Sequence, residues 1–247
     1  PGLVFVGTSG TAQFSIMGDL WRGNLDGGRG NFVRYDSPVL AGFIFSASWG
    51  EDDDYAVALR YAGSFNGVSV KAGIGYQNGK TIDSDALPAL LPNGTNGIPD
   101  HEDYVGSFSL LHEPTGLFLT MAGGMRHWTE SPFPVAELLD EKYIYVKGGI
   151  LRKWLPLGQT AIYGEYYRIW DNGIAINSGP FLAFDQSRFN ETAETIGVGV
   201  VQHVDAAAME LYVSYRHYWA NDITDLLTIT DHDIRFDAVM TGARIKF

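Results

Sequence analysis

The stretch Asp233-Ile-Arg-Phe-Asp-Ala-Val-Met-Thr-Gly-Ala-Arg-Ile-Lys-Phe247 decides the fold, because it alternates with a period of two and stops on an aromatic residue. Val239, Thr241, Ala243, Ile245 and Phe247 fall on one side of an extended chain, and Met240, Gly242, Arg244 and Lys246 on the other. One face is apolar and the other is charged. In a water-soluble sandwich the apolar face would meet a second sheet. In a membrane barrel it would meet lipid, and the charged face would line a wet interior.

Working back from this end, the same alternation recurs. Phe32–Asp36 reads as a strand, Ser37-Pro38 as a turn, and 41–49 as the returning strand. Tyr55, Val57, Leu59 and Tyr61 share a side, opposite Ala56, Ala58, Arg60 and Ala62. After Asn66-Gly67, Val68, Val70, Ala72, Ile74 and Tyr76 stand opposite Ser69, Lys71, Gly73 and Gly75. Further strand pairs are expected at 102–112 with 117–128, at 142–153 with 160–169, and at 192–204 with 209–219, each pair joined by a short turn. The connections on the other side are long and polar, at about 78–101, 129–141, 170–191 and 220–231. Tight turns on one rim and long loops on the other favour a membrane barrel over a sandwich.

Composition sets limits on function. The chain has 247 residues, 30 of them glycine and 13% aromatic, with mean hydropathy near zero and no apolar run long enough for a spanning helix. It contains no cysteine, which excludes disulfides and thiolate metal sites. A net charge of −12 argues against nucleic acid as a partner. Residues 1–30 carry no basic region or signal core and read as a short apolar run followed by a glycine-rich loop that packs back on the protein.

Several stretches resemble a known family. Val33-Arg-Tyr-Asp-Ser-Pro38, Ala41-Gly-Phe-Ile-Phe-Ser-Ala-Ser-Trp-Gly-Glu-Asp-Asp53, Val57-Ala-Leu-Arg-Tyr-Ala-Gly63 and Ala72-Gly-Ile-Gly-Tyr76, together with the Gly242-Ala-Arg-Ile-Lys-Phe247 ending, resemble pieces of a proteobacterial general diffusion porin. The resemblance implies an all-β, transmembrane antiparallel β-barrel of the 16-stranded trimeric type in the outer membrane of a Gram-negative bacterium. It also implies that Phe247 belongs to the signal read by barrel-assembly machinery. About eleven strands can be counted. Barrels of this class have even strand numbers, so residues 1–247 are expected to be one barrel domain holding the last 11 of 16 strands, the N-terminal part of the barrel being absent. Residues 1–30 would then be the end of a strand plus the inward constriction loop, and 31–247 the remaining strands. A complete 12-stranded barrel beginning near Leu3–Val6 is the alternative.

The candidate site is electrostatic. Arg34, Arg60, Lys71, Arg126, Lys147 and Arg216 are expected to form a basic wall, joined by Arg244 and Lys246, with Glu165 and Glu210 as acids on the same face. Asp19 and Asp26 on the inward loop would oppose them across the constriction. The expected function is passive diffusion of small hydrophilic solutes and ions, with outer-membrane lipid, lipopolysaccharide and two further copies of the chain as partners. Acidic loops, including Glu51–Asp54, Asp100, Glu102, Asp103, Asp222 and Asp231, would enrich cations at the mouth and give a weak cation preference at low salt. A receptor or adhesin acting through the long loops would share this fold. No nucleophile motif supports an enzyme. The histidines lack metal-ligand spacing, so no cofactor is expected. Loop-bound Ca²⁺ at Glu51–Asp54 or 100–103 is the one metal these carboxylates could hold.

Overall fold

The computed structural model describes residues 4–6, 12–16, 31–50, 53–79, 100–129, 140–170, 192–225 and 230–245. Eleven of its strands form one antiparallel sheet in which every strand pairs with its neighbours in the chain. These are β3 (Phe32–Asp36), β4 (Phe43–Gly50), β5 (Tyr55–Phe65), β6 (Val68–Gly79), β7 (His101–His112), β8 (Leu117–Trp128), β9 (Glu141–Leu155), β10 (Gly158–Trp170), β11 (Thr192–Val204), β12 (Met209–Asp225) and β13 (Thr230–Ile245). From β5 on each strand has 11 to 17 residues. A tilted strand needs about 9–11 residues to cross a bilayer.

The period-two pattern explains why these segments are strands, and the turns explain where they stop. Asn66 (φ 49°) and Gly67 (φ 75°) sit in the left-handed region that a two-residue hairpin requires. At the 113–116 turn Gly116 is also left-handed, and a side chain there would strike the Leu151 carbonyl. Arg152 holds the same turn by donating to the carbonyls of Thr115 and Pro114 at 2.7 and 2.9 Å.

Two expectations differ from what is observed. Val4–Val6 (β1) and Ala12–Ile16 (β2) pair with each other as a separate two-stranded ribbon, so part of the expected loop is strand. The connection expected to be long at 220–231 is short, because β12 runs on to Asp225 and β13 begins at Thr230. A register irregularity between Ala220 and Ile223 lies within this extension. Its polar residues hid the strand, since alternation is invisible where both faces are polar.

Direct register partners share a face, which sorts the sheet into two surfaces. On the apolar face, Leu59, Ile74, Phe108, Met121, Ile162, Val198 and Val213 stand exposed, Ile74 at 66% and Val198 at 57%. This belt is bounded. Toward the 80–100 and 171–191 connections it ends in polar residues, namely Glu102, His127, Lys142, Arg168, Glu194, His217 and Asp237. Toward the short turns it ends at His112, Arg152, Thr160 and Gln202. Along β8 the belt from Leu117 to Met125 measures roughly 25–30 Å at strand rise.

Tyrosines mark one boundary of the belt, and each reaches a carboxylate at the rim. Tyr76 and Tyr104 donate to the two oxygens of Glu102 at 3.0 and 2.8 Å, Tyr166 donates to Glu194 at 2.8 Å, and Tyr215 to Asp237 at 2.6 Å. Trp49, Tyr55, Tyr76 and Tyr104 continue as a row of neighbouring rings with centroids 5.1–6.1 Å apart. An amphipathic ring with an apolar body and a wet tip suits such a boundary.

Candidate functional site

The polar face is built in rows of register partners. Across β9 to β13 the rows read, from the long connections toward the short turns, Tyr145, Tyr167, Thr195, Tyr218 and Phe236; then Lys147, Glu165, Gly197, Arg216 and Ala238; then Gly149, Tyr163, Gly199, Ser214 and Met240. Beyond them come Tyr212 opposite Gly242, and Glu210 opposite Arg244. Above them Ile169, Ala193 and Ala220 pack as a small buried cluster against Tyr143 and Tyr167.

The middle row carries a buried ion pair that crosses a strand. Arg216 on β12 donates from Nε to Glu165 Oε1 at 2.6 Å, and the Tyr145 hydroxyl donates to Oε2 at 2.8 Å. Glu165 is 7% exposed, so both its oxygens are satisfied out of water. The pair spans β11, and it can do so because the residue between is Gly197. A Cβ at Gly197 would lie 3.0 Å from Arg216 Cγ and 3.1 Å from the Glu165 carboxylate.

Glycine serves the rings in the same way. Tyr163 lies flat over its partner Gly199, whose Cβ would fall 2.5 Å from the ring, and Tyr212 lies over Gly242 in the same manner. Phe118 lies across Gly149, and His101 across Gly79. Lys147 rests its Nζ 3.6 Å above the centre of the Tyr163 ring.

Other charges on this face are paired as well. Arg126 grips Asp103 with two bonds of 2.7 Å, beside His101 at 3.7 Å, and Asp103 is 1% exposed. Arg34 and Arg60 both reach Asp36, at 2.9 and 2.7 Å, and Ser46 donates to the same oxygen. Arg244 binds Glu210, with His203 on its other side, and Lys153 approaches Asp205 at 3.7 Å.

Arg34, Arg60, Lys71, Arg126, Lys147, Arg216 and Arg244 therefore share one face with Glu165 and Glu210. The arginines among them are engaged by carboxylates. Asp103, placed by its sequence neighbours among loop acids, is instead a buried partner of Arg126 on β7. Glu102, one residue earlier, faces the opposite side, so these two carboxylates do not converge. Asp36 and the histidine partnerships were also missed, because each is a contact across strands. His127 meets Asp140 and His217 meets Asp237, at 2.7 and 2.8 Å. Among the described residues no group of three or more histidines and carboxylates is arranged to hold a metal. Asp19, Asp26, Glu51, Lys246 and Phe247 lie outside the described residues.

Neither a sequence-family model nor a curated protein matches the chain. Solved structures do match in fold. The loop L8 deletion mutant of OmpT, an outer membrane protein of Vibrio cholerae, aligns with a TM-score of 0.50 and 18% identity over 87% of this chain and 62% of that chain. OccD3 (OpdP) of Pseudomonas aeruginosa aligns with a TM-score of 0.52 and 14% identity over 86% of this chain and 56% of that one. OccAB3 of Acinetobacter baumannii gives 0.50 and 12% over 86% and 55%. The chain thus spans under two thirds of the length of each of these structures. Its eleven-stranded antiparallel sheet has the fold of outer-membrane β-barrel proteins.

Proposed function

We propose that the protein is a passive diffusion channel of the general porin type, carrying small hydrophilic solutes and ions across the outer membrane of a Gram-negative bacterium through a charged passage. One observation carries this reading. The same strands present a bounded apolar belt edged by tyrosines on one side, and rows of charges, hydroxyls and glycines on the other. Lipid accounts for the first surface, and water for the second. Transport then needs no covalent step: solutes move down their gradients past fixed charges. Outer-membrane lipid and lipopolysaccharide are the partners on the apolar side, and a homotrimer is the assembly this reading carries. No cofactor takes part.

Reconstitution in planar bilayers tests the proposal. Discrete, long-lived conductance steps in KCl are expected, and refolded β-rich protein that inserts without conducting would overturn it. The faces can be tested separately, since the chain contains no cysteine and single cysteines can be introduced on a clean background. A cysteine at Ala58 should react with a charged, water-borne thiol reagent. One at its neighbour Val57 should not.

A further inference from the structure

Tyr212 on β12 repeats the arrangement of Tyr163 with one difference. Both rings lie over a glycine of the neighbouring strand, Tyr163 over Gly199 and Tyr212 over Gly242. Tyr163 carries the Lys147 ammonium on its outer face at 3.6 Å. Over Tyr212 there is no ring, ammonium or guanidinium among the described residues, and the side chain is partly exposed. An aromatic face is thus laid along the wall and left open, about 10 Å from the start of β12 at strand rise.

The positions on either side of the ring supply hydrogen-bonding groups. Two residues before it, the buried Glu210 carboxylate holds Arg244 of β13, with His203 of β11 3.7 Å away. Two residues after it stands Ser214, 6% exposed, whose hydroxyl has no hydrogen-bond partner among the described residues. The register partners of Tyr212 itself are Val201 and Gly242, so its own row adds no charge. The Arg244 side chain is 66% exposed, and a guanidinium with five N–H groups keeps donors beyond the one given to Glu210. Carboxylate and guanidinium offset each other, so this part of the wall has no surplus of negative charge to hold a cation and little positive charge to hold an anion.

We infer that Tyr212, Ser214 and Arg244 form a binding subsite for uncharged saccharides, with a pyranose ring laid on Tyr212 and Glu210 fixing the position of Arg244. This rests on reading the polar face as water-filled. A pyranose presents C–H groups on its faces, which suit an aromatic face, and hydroxyls around its rim that both donate and accept. Arg244 donates to that rim at one end of the subsite, and Ser214 donates or accepts at the other. Glu210, Tyr212 and Ser214 alternate along one strand over about 14 Å, so the ring and its hydroxyls are met together. Such an arrangement selects a cyclic sugar over an open-chain polyol, since only the first has a face to stack.

The test is saturation-transfer NMR on the chain refolded in an amine-oxide detergent, which carries no sugar to compete, with methyl α-glucoside and sorbitol as probes. The parent should give a signal from the glucoside and little from sorbitol. Tyr212→Leu, which keeps an apolar side chain on the wall, should weaken glucoside binding about fivefold, the weight of one ring contact of ordinary strength. Tyr212→Phe should retain it, and Ser214→Ala should weaken it about twofold. Tyr215→Leu removes a ring from the apolar face of the same strand and should leave binding unchanged. Equal binding to Tyr212→Leu and the parent, equal signals from the two probes, or no glucoside signal from the folded parent would overturn the inference. If Tyr212→Leu does not refold, Ser214→Ala and the contrast between the probes still decide. Because the readout is independent of conduction, ring-dependent binding in a chain that forms no pore keeps the subsite and defeats the channel reading. Conductance steps without ring-dependent binding do the reverse.

Discussion

The polar face divides into two regions built on the same alternation but with different side chains. From β3 to β7 its interior positions are small or hydroxylic, as in Ser46, Ser48, Ala56, Ala58, Ser64, Ser69, Gly73 and Ser107, and its ion pair at Asp36 is open to solvent. From β9 to β13 they are dominated by Tyr143, Tyr145, Tyr163, Tyr167, Tyr212 and Tyr218, with Glu165 buried beneath Arg216. The difference shows that period-two patterning fixes which way a residue points, while the thickness and stiffness of a wall depend on pairing between strands. In the first region the charges gather at Asp36, where Arg34, Arg60 and Ser46 meet in reach of water. In the second, rings and ions are fitted to glycines on adjacent strands.

The largest contrast should come from the two kinds of ion pair. Arg216→Ala leaves the Glu165 carboxylate buried without its cation and should cost about 3–5 kcal/mol in urea unfolding from detergent. Arg60→Ala should produce no resolvable loss, because Asp36 keeps Arg34 and Ser46 as partners and stands in water. Equal shifts in the urea midpoint would erase the distinction between the regions.

Glycine substitutions come next. Gly197→Val forces Arg216 and Glu165 apart and should cost about 2 kcal/mol, an overpacking penalty. Gly73→Val, where the nearest atom to a Cβ is Arg60 Cγ at 3.6 Å, should leave the midpoint within experimental error. Gly199→Ala should raise Tyr163 off the wall and free Lys147 from its ring, lowering single-channel conductance and costing about 1 kcal/mol of cation–π contact. A conductance equal to that of the parent would mean that the ring has room to stay flat. The smallest effect is expected at the seam between the regions. Ser109→Ala removes one hydroxyl pair from Thr120 and should cost about 0.5 kcal/mol, measured in the same titrations.

These contrasts also explain what could be read in the sequence. Phe32–Asp36, Leu117–Trp128 and Thr192–Val204 were readable to their ends, because apolar residues recur at every second position along most of each and turn residues flank them. The hairpin at Asn66-Gly67 announced itself for the same reason. The far ends of β12 and β13 were not readable, since Asn221, Asp222 and Asp231 look like loop residues in a sequence. Facing was legible in Arg216 and Glu165 separately. Their bond was not, because it joins residues on different strands through the gap at Gly197 and depends on register, which no local pattern encodes. Asp103 shows the limit most plainly. Its neighbours Asp100, His101 and Glu102 read as a solvated acidic run, yet one strand partner, Arg126, makes it the most deeply buried acid described.

The rings that lie flat over glycines have an evolutionary consequence. Glycine and alanine codons differ at one nucleotide, and at Gly199 or Gly242 that change adds a methyl group where Tyr163 or Tyr212 now rests. The backbone and its ladder of hydrogen bonds can stay as they are while the ring swings outward by the width of the methyl. On the channel reading proposed above, the bore of such a wall can thus be narrowed in single mutational steps, one ring at a time, and widened again by reversion, with no insertion, deletion or change in strand number. Selection on what passes can therefore act on aperture independently of selection on assembly.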